Sequence, residues 1–186
     1  MGYKDSDLST LSVLVKPVSA DCNLSCTYCF YLPKSKMYAD VNVHRMSDKV
    51  LAELIAQMLS LSTGRVSFCW QGGEPTLAGI DFYRKVLRYQ SLFKAPFQVV
   101  ENSLQTNGTL IDDRWASFLS VYDFLVGVSL DGPKDLHNFY RRGRGGFGSY
   151  DAVIRCINML RRYGVKFNIL TVVNDRNVKD PSVNHI

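Results

Sequence analysis

The sequence predicts an α/β protein in which helical segments follow the first four of five strands. Short apolar or β-branched runs alternate with longer segments that carry apolar residues at helical spacing. The 186 residues, 46% of them hydrophobic and 21% charged, are enough to bury one core. Repeated strand–helix units imply parallel strands, and an open doubly wound sheet and a barrel both satisfy that pattern.

The predicted strands are short runs that end at a proline, a glycine or a polar loop. In chain order they span residues 11–17, 65–71, 98–106, 124–130 and 165–173. The first predicted helix runs to Leu59 behind Ser47, whose hydroxyl is a good N-cap. The other three span residues 80–93, 112–119 and 149–163, and each offers an apolar stripe or a capping side chain.

Loops with special composition follow the first four strands. In parallel α/β folds ligands gather at the carboxyl ends of strands, so we expect these loops to meet at one site. They contain, in order, the cysteines at 22–29, Gly72-Gly-Glu-Pro75, Thr106-Asn-Gly-Thr109 and Asp131-Gly-Pro133. Residues 174–186 are polar and lack a helical pattern, and a complete barrel needs at least one more strand–helix unit. We therefore expect an incomplete domain that spans residues 1–186.

Composition argues against two classes of partner. The net charge is +5, but the basic residues are spread out and no long basic tract is interleaved with aromatic residues, so nucleic-acid binding is disfavoured. No apolar run reaches the roughly eighteen residues of a membrane span. The N-terminal residues have no apolar signal core, and with the use of cysteine this predicts a reducing, cytoplasmic setting.

Three of the five cysteines, Cys22, Cys26 and Cys29, lie within eight residues in a C-x3-C-x2-C spacing. Three thiolates in one loop can hold three irons of a [4Fe–4S] cube and leave the fourth iron open to a small molecule. Disulfides and structural zinc are the competing interpretations. Three adjacent cysteines cannot all pair with one another, and zinc usually takes two C-x2-C pairs, of which the chain has one.

With the blocks at residues 70–79 (WQGGEPTLAG), 102–112 (NSLQTNGTLID) and 127–134 (GVSLDGPK), this cysteine motif resembles the radical S-adenosylmethionine enzymes. Together the blocks resemble the anaerobic sulfatase-maturating branch, over about residues 11–173. The resemblance implies a partial (β/α)6 barrel of the TIM type, incomplete at its C-terminus, and a [4Fe–4S] cluster with S-adenosylmethionine as cofactors. Reductive cleavage then yields a 5′-deoxyadenosyl radical that abstracts hydrogen from a Cys or Ser side chain on the way to formylglycine.

The resemblance also implies site residues. Cys22, Cys26 and Cys29 are the expected cluster ligands. The expected cofactor contacts are Tyr28, Gly73, Glu74, Ser129 and Arg141. Glu74 is expected to pair with the amino group of the methionine moiety.

Other positions are less constrained by the resemblance. Arg142 is adjacent to Arg141, so the register of the arginine can slip by one. Gln71 and Asn107 are weaker candidates, for substrate contact and for a turn, respectively. Cys69 and Cys156 are expected in the core. The acidic residue that acts as the base in the family, and its two auxiliary clusters, fall beyond this chain.

The resemblance further implies a protein or peptide substrate, such as a sulfatase, and a reductant such as flavodoxin or ferredoxin. Three alternatives stay open. The chain is another peptide-modifying radical enzyme, an inactive or split cluster-binding fragment, or a tRNA-modifying radical enzyme that would bind RNA in a salt-dependent way. From the missing C-terminal elements we expect this polypeptide alone to cleave the cofactor without completing formylglycine formation.

Overall fold

The computed structural model describes residues 8–37 and 43–179. Within these residues five parallel strands form one sheet in the order β1-β2-β3-β4-β5. The strands are β1 (Leu8–Val15), β2 (Ser62–Trp70), β3 (Val99–Thr106), β4 (Leu125–Ser129) and β5 (Phe167–Leu170). The helices are α1 (Asp48–Ser60), α2 (Ile80–Phe93), α3 (Asp113–Val121), α4 (Lys134–Tyr140) and α5 (Tyr150–Arg162). Short 3-10 helices lie at Pro33–Lys36, Pro75–Ala78 and Asn177–Lys179.

The strand order distinguishes the two architectures that the sequence left open. It follows the chain without reversal, and right-handed connections that all run in one direction place the helices on the same face of the sheet. A doubly wound sheet instead reverses its order and carries helices on both faces. The α/β class and the partial barrel are therefore confirmed. The C-terminal part of the predicted polar segment, residues 180–186, lies outside the described residues.

The two faces of the sheet differ in composition. One row of paired residues packs under the helices and crosses all five strands: Val15, Trp70, Leu104, Val126 and Phe167. The neighbouring row, one residue earlier, points to the open face and consists of Leu14, Cys69, Ser103 and Leu125. Side chains alternate between faces along a strand, so the helix side is the core and the open face lines the inside of the partial barrel.

One polar cluster is buried within the helix side of the sheet. Asn102 on β3 accepts hydrogen bonds from the Trp70 indole and the Gln90 amide, each at 2.9 Å, and its own amide donates to Gln90 at 2.9 Å. The reciprocal bonds satisfy both amides, which a buried polar pair requires. This cluster ties α2 to β2 and β3.

Two features of the structure differ from what the sequence predicted. The helix α4 was not predicted, since seven residues that begin behind Pro133 are too few for a clear apolar stripe. Cys156 is buried in the core as predicted, but Cys69 is only half-buried and lies on the open face. The core prediction for Cys69 was wrong because this residue alternates in phase with Ser67 and not with Phe68 and Trp70.

Candidate active site at the carboxyl ends of the strands

A cavity of about 350 Å³ opens where β1 to β4 end. It gathers residues from three of the four loops that the sequence singled out, together with Ser129 at the end of β4, and most of its exposed wall is apolar. Seven predicted ligands and contacts line it: Cys22, Cys26, Cys29, Tyr28, Gly73, Ser129 and Arg141. The same wall includes Leu24, Phe30, Tyr31, Gln71, Gly72, Gln105, Thr106, Asn107 and Val172.

The cysteine loop is held against the segment that follows α4. The Ser25 N–H donates to the Arg142 carbonyl at 2.7 Å, and the Thr27 N–H donates to the Tyr140 carbonyl at 3.0 Å. Arg141 lies between these two anchor points, so the same pairing brings its guanidinium to the cavity. Arg142 is exposed and donates to the Asn138 carbonyl instead, which favours the register predicted for Arg141.

The three thiols line one cavity and are free of disulfides. Burial raises the pKa of Cys22, and it raises the pKa of Cys26 to about 11. Among the described residues, no three His, Cys, Asp or Glu side chains converge on a point as one metal ion would need. A [4Fe–4S] cube gives each thiolate an iron of its own, so three separate sulfurs around one cavity fit that group.

The two glycines after β2 allow a close backbone approach. Gly72 has φ of +123°, and a Cβ on Gly73 would lie 1.9 Å from the Asp21 carbonyl oxygen. The Gly73 N–H donates to the Ser19 carbonyl at 2.9 Å, and the Glu74 N–H donates to the Asp21 carbonyl at 2.7 Å. The loop after β2 therefore packs directly on the residues that lead into the cysteine motif, where no side chain fits.

Glu74 is placed differently from the prediction. Its carboxylate is fully buried and accepts hydrogen bonds from the Thr76 N–H at 3.1 Å, the Thr76 hydroxyl at 2.5 Å, the Thr106 hydroxyl at 2.7 Å and the Asn107 N–H at 2.7 Å. Burial raises the pKa of this carboxyl, and the donors oppose the rise. Since Glu74 is not part of the cavity wall, the geometry does not support the predicted pairing with an amino group. Instead, the Glu74 carboxylate joins the loop after β2 to the end of β3.

Asp131 organises the opposite wall of the cavity. Its carboxylate is fully buried and accepts from the Tyr28 hydroxyl, the Arg141 Nε–H at 2.8 Å, the Arg141 Nη2–H at 3.3 Å and the Val172 N–H at 3.1 Å. Arg141 is 8% exposed. Burial raises the pKa of Tyr28, which keeps its hydroxyl protonated as a donor. One carboxylate thus orients the aromatic ring and the guanidinium that face the cavity.

A buried histidine lies behind this carboxylate. His137 Nδ1 accepts from the Asp131 N–H at 3.3 Å, and its Nε2 lies 2.9 Å from the Ser149 hydroxyl, which donates to the Arg141 carbonyl at 2.9 Å. These roles assign the neutral tautomer with the proton on Nε2. Burial, with the nearby Arg141 charge, lowers the pKa of His137 to about 4. His137 is therefore a structural support for the loop after β4.

The remaining predicted residues, Ser129 and Gln71, line the cavity where β4 and β2 end. Ser129 ends β4, and its hydroxyl accepts a hydrogen bond from the Gln105 amide at 3.2 Å. Gln71, the first residue after β2, also lines the cavity. The roles of Asp131 and Gln105 were not predicted from the sequence. A signal for Asp131 was present, since an acidic residue directly after a strand falls at the carboxyl edge where the other loops meet.

No helix in the described ranges, 8–37 and 43–179, has the length and apolar character to cross a membrane.

Comparison with protein families matches residues 17–182 to the model described as "Radical SAM superfamily". The cysteine-type anaerobic sulfatase-maturating enzyme of Clostridium perfringens is 44% identical over 169 residues, which cover 91% of this chain and 46% of that protein. The serine-type anaerobic sulfatase-maturating enzyme of Bacteroides thetaiotaomicron is 41% identical over 172 residues, covering 92% of this chain and 41% of that protein. The chain thus spans less than half the length of these curated relatives.

Solved structures give the same picture. A structure described as native anSMEcpe with bound AdoMet and Kp18Cys peptide has a TM-score of 0.86 and 43% identity, over 95% of this chain and 47% of that one. The hydrogenase maturase HydG matches with a TM-score of 0.62 at 12% identity, over 87% of this chain and 35% of that one, which shows the fold alone.

Proposed function

Since this chain belongs to the radical SAM superfamily, we propose that its cavity binds a [4Fe–4S] cluster and S-adenosylmethionine for hydrogen abstraction from a protein or peptide side chain. One observation carries the proposal: a single cavity brings the three cysteines together with Tyr28 and Arg141. We further propose that residues 1–186 are one radical SAM core domain. The anaerobic sulfatase-maturating relatives make oxidation of a sulfatase Cys or Ser to formylglycine the reaction to test.

In this proposal Cys22, Cys26 and Cys29 each hold one iron. When bound, the cluster would supply one electron for reductive cleavage of the sulfonium C–S bond of S-adenosylmethionine. The residues of the chain bind the cofactor and keep water away. The apolar wall, to which Leu24, Phe30 and Val172 contribute, supplies a low-dielectric surrounding for the reaction.

Four residues are proposed to hold S-adenosylmethionine. Arg141 keeps N–H donors beyond the two that Asp131 accepts, because a guanidinium has five, and its planar fork suits a carboxylate. Gly73 contributes only backbone to the cavity wall, and its missing side chain lets this loop pack on Asp21. Tyr28 presents an aromatic ring fixed by Asp131, and Ser129 presents a hydroxyl at the end of β4.

The proposed substrate enters along the open face of the sheet, because Gln105, which alternates in phase with Ser103 on that face, also lines the cavity, as does Gln71. The solved relative that contains AdoMet together with a peptide supports a peptide or protein substrate. A one-electron reductant is also needed, and a flavodoxin or ferredoxin is the proposed donor.

The test is anaerobic reconstitution of the chain with iron and sulfide, followed by addition of dithionite and S-adenosylmethionine. We expect about four irons per chain, as a [4Fe–4S] cluster requires, and formation of 5′-deoxyadenosine. Cys26→Ala should lose both. Cys69→Ala is the matched control, because this thiol lies on the sheet outside the cavity wall, and it should retain both. Cofactor cleavage by Cys26→Ala, or zinc as the bound metal, would contradict the proposal.

The substrate is tested separately with a sulfatase-derived peptide that contains the target Cys or Ser. Aldehyde formation, measured by mass spectrometry, would support the maturase reaction, and it would overturn the expectation that this polypeptide alone stops at cofactor cleavage. 5′-Deoxyadenosine with a different modification of the peptide would support another peptide-modifying enzyme instead.

A further inference from the structure

Asn107 is a buried polar side chain at the carboxyl end of β3, beside the cysteine loop. It is 8% exposed, and its backbone N–H donates to the buried Glu74 carboxylate at 2.7 Å. The main chain at this position is therefore anchored independently of the side chain. The proposed binding of cluster and cofactor assigns no role to this residue.

A closed ring of hydrogen bonds orients the amide of Asn107. Its Oδ1 accepts from the Thr109 N–H at 3.0 Å and from the Thr109 hydroxyl at 2.7 Å. The same hydroxyl accepts from Asn23 Nδ2 at 2.8 Å, and Asn23 Oδ1 accepts from Asn107 Nδ2 at 2.9 Å. Because the Thr109 N–H is a fixed donor, the amide oxygen must face it, and the amide nitrogen must face Asn23 and the cysteine loop.

The second N–H of the same amide has a sulfur as its acceptor. Asn107 Nδ2 lies 3.7 Å from Cys22 Sγ, and the Leu24 N–H donates to the same sulfur at 3.4 Å. A primary amide has two N–H donors, so Asn23 and Cys22 use both. Cys22 thus receives one main-chain donor and one side-chain donor, and a substitution of Asn107 removes the second while leaving the first in place.

We propose that Asn107 tunes the reduction potential of the cluster by donating a hydrogen bond to the Cys22 thiolate. This inference rests on the proposed cluster site. Hydrogen bonds to ligand sulfurs are among the determinants of iron–sulfur potentials. A donor stabilises the more negative, reduced cluster more than the oxidised one, and so it raises the potential. Asn107 is a positioning residue in this role, since it acts through the ligand Cys22.

The experiment is an anaerobic redox titration, followed by electron paramagnetic resonance, of the reconstituted chain and its Asn107→Ala and Asn107→Leu variants. We expect both variants to have a midpoint potential lower by about 59 mV, which corresponds to about a tenfold change in the equilibrium constant of a one-electron reduction. Asn158→Ala, an exposed position on α5, is the matched control and should leave the potential unchanged. Iron and sulfide content are measured for every sample.

Equal potentials in the wild type and in cluster-loaded Asn107 variants would overturn the inference while leaving the cluster site intact. Failure of the wild type to bind iron and sulfide would instead refute the proposed function. If neither Asn107 variant assembles a cluster, the hydrogen bond is tested in the wild-type chain instead. It is labelled with ¹⁵N at the asparagine side-chain amides, and a ¹⁵N coupling to the reduced cluster is expected in the absence of cofactor. Absence of that coupling would refute the hydrogen bond.

Discussion

The buried pair of Asp131 and Arg141 offers a prediction that needs no cluster. Asp131→Asn removes the negative charge and leaves the buried guanidinium of Arg141 unpaired, while Arg141→Met leaves the buried carboxylate without its cation. Asp131 is fully buried and Arg141 is 8% exposed, with N–O distances of 2.8 and 3.3 Å. Removing one partner of such a pair costs about 3–5 kcal/mol, and we expect this loss of unfolding free energy from each single variant.

The double variant separates the pair from the rest of the fold. With both charges gone, no unpaired buried charge remains. The loss of unfolding free energy in Asp131→Asn/Arg141→Met should therefore be smaller than the sum of the two single losses, by at least about 2 kcal/mol. The assay is anaerobic urea unfolding at neutral pH, followed by the fluorescence of the buried Trp70 and Trp115.

The exposed pair of Lys134 and Asp151, 2.7 Å apart, is the matched control. Its coupling should be small, because solvent screens an ion pair between two exposed side chains. Additive losses for Asp131 and Arg141, with no more coupling than the control pair, would refute the reasoning that one carboxylate holds this wall of the cavity.

Three further predictions concern neighbouring supports. Glu74→Gln should cost about 1–3 kcal/mol in urea unfolding, because one amide cannot accept all four donors now satisfied; a change within error would contradict this. Gly73→Ala should lower the free energy of unfolding by about 1–3 kcal/mol and reduce the iron content after reconstitution, because the new Cβ would lie 1.9 Å from the Asp21 carbonyl oxygen. Gly143→Ala is the control and should change neither quantity, because the nearest atom to its Cβ would be 3.7 Å away. The pKa of His137 is lowered from 6.5 to about 4, so the unfolded chain binds its proton first as the pH falls. Stability is therefore lost below pH 6.5, about 2 kcal/mol between pH 7 and 5, and the loss attributable to this residue should be missing in His137→Gln.

The sequence was sufficient for the strands and for most of the cavity wall. The apolar or β-branched runs that end at a proline, a glycine or a polar loop located all five strands to within a few residues, because strands that pack under helices carry apolar side chains on at least one face. The loops that follow them then had to meet at one edge, and seven of the eight predicted site residues line one cavity.

The side-chain partners could not be predicted in the same way. The Glu74 carboxylate points away from the cavity because it accepts hydrogen bonds from the Thr106 hydroxyl and the Asn107 N–H, which are more than thirty residues later in the sequence. The role of Asp131 depends on Tyr28, which is 103 residues earlier in the chain. Local patterns carry no information about such pairings, whereas strand parity alone would have placed Cys69 correctly.

The two main-chain hydrogen bonds from Gly73 and Glu74 to Ser19 and Asp21 have a consequence for exchange with solvent. These amides can take up deuterium only when the second loop separates from the first, so both protons report on a single opening event. The rate of deuterium uptake at these two amides therefore reports whether the loops after β1 and β2 are packed together. It can be measured in any variant without iron, substrate or turnover.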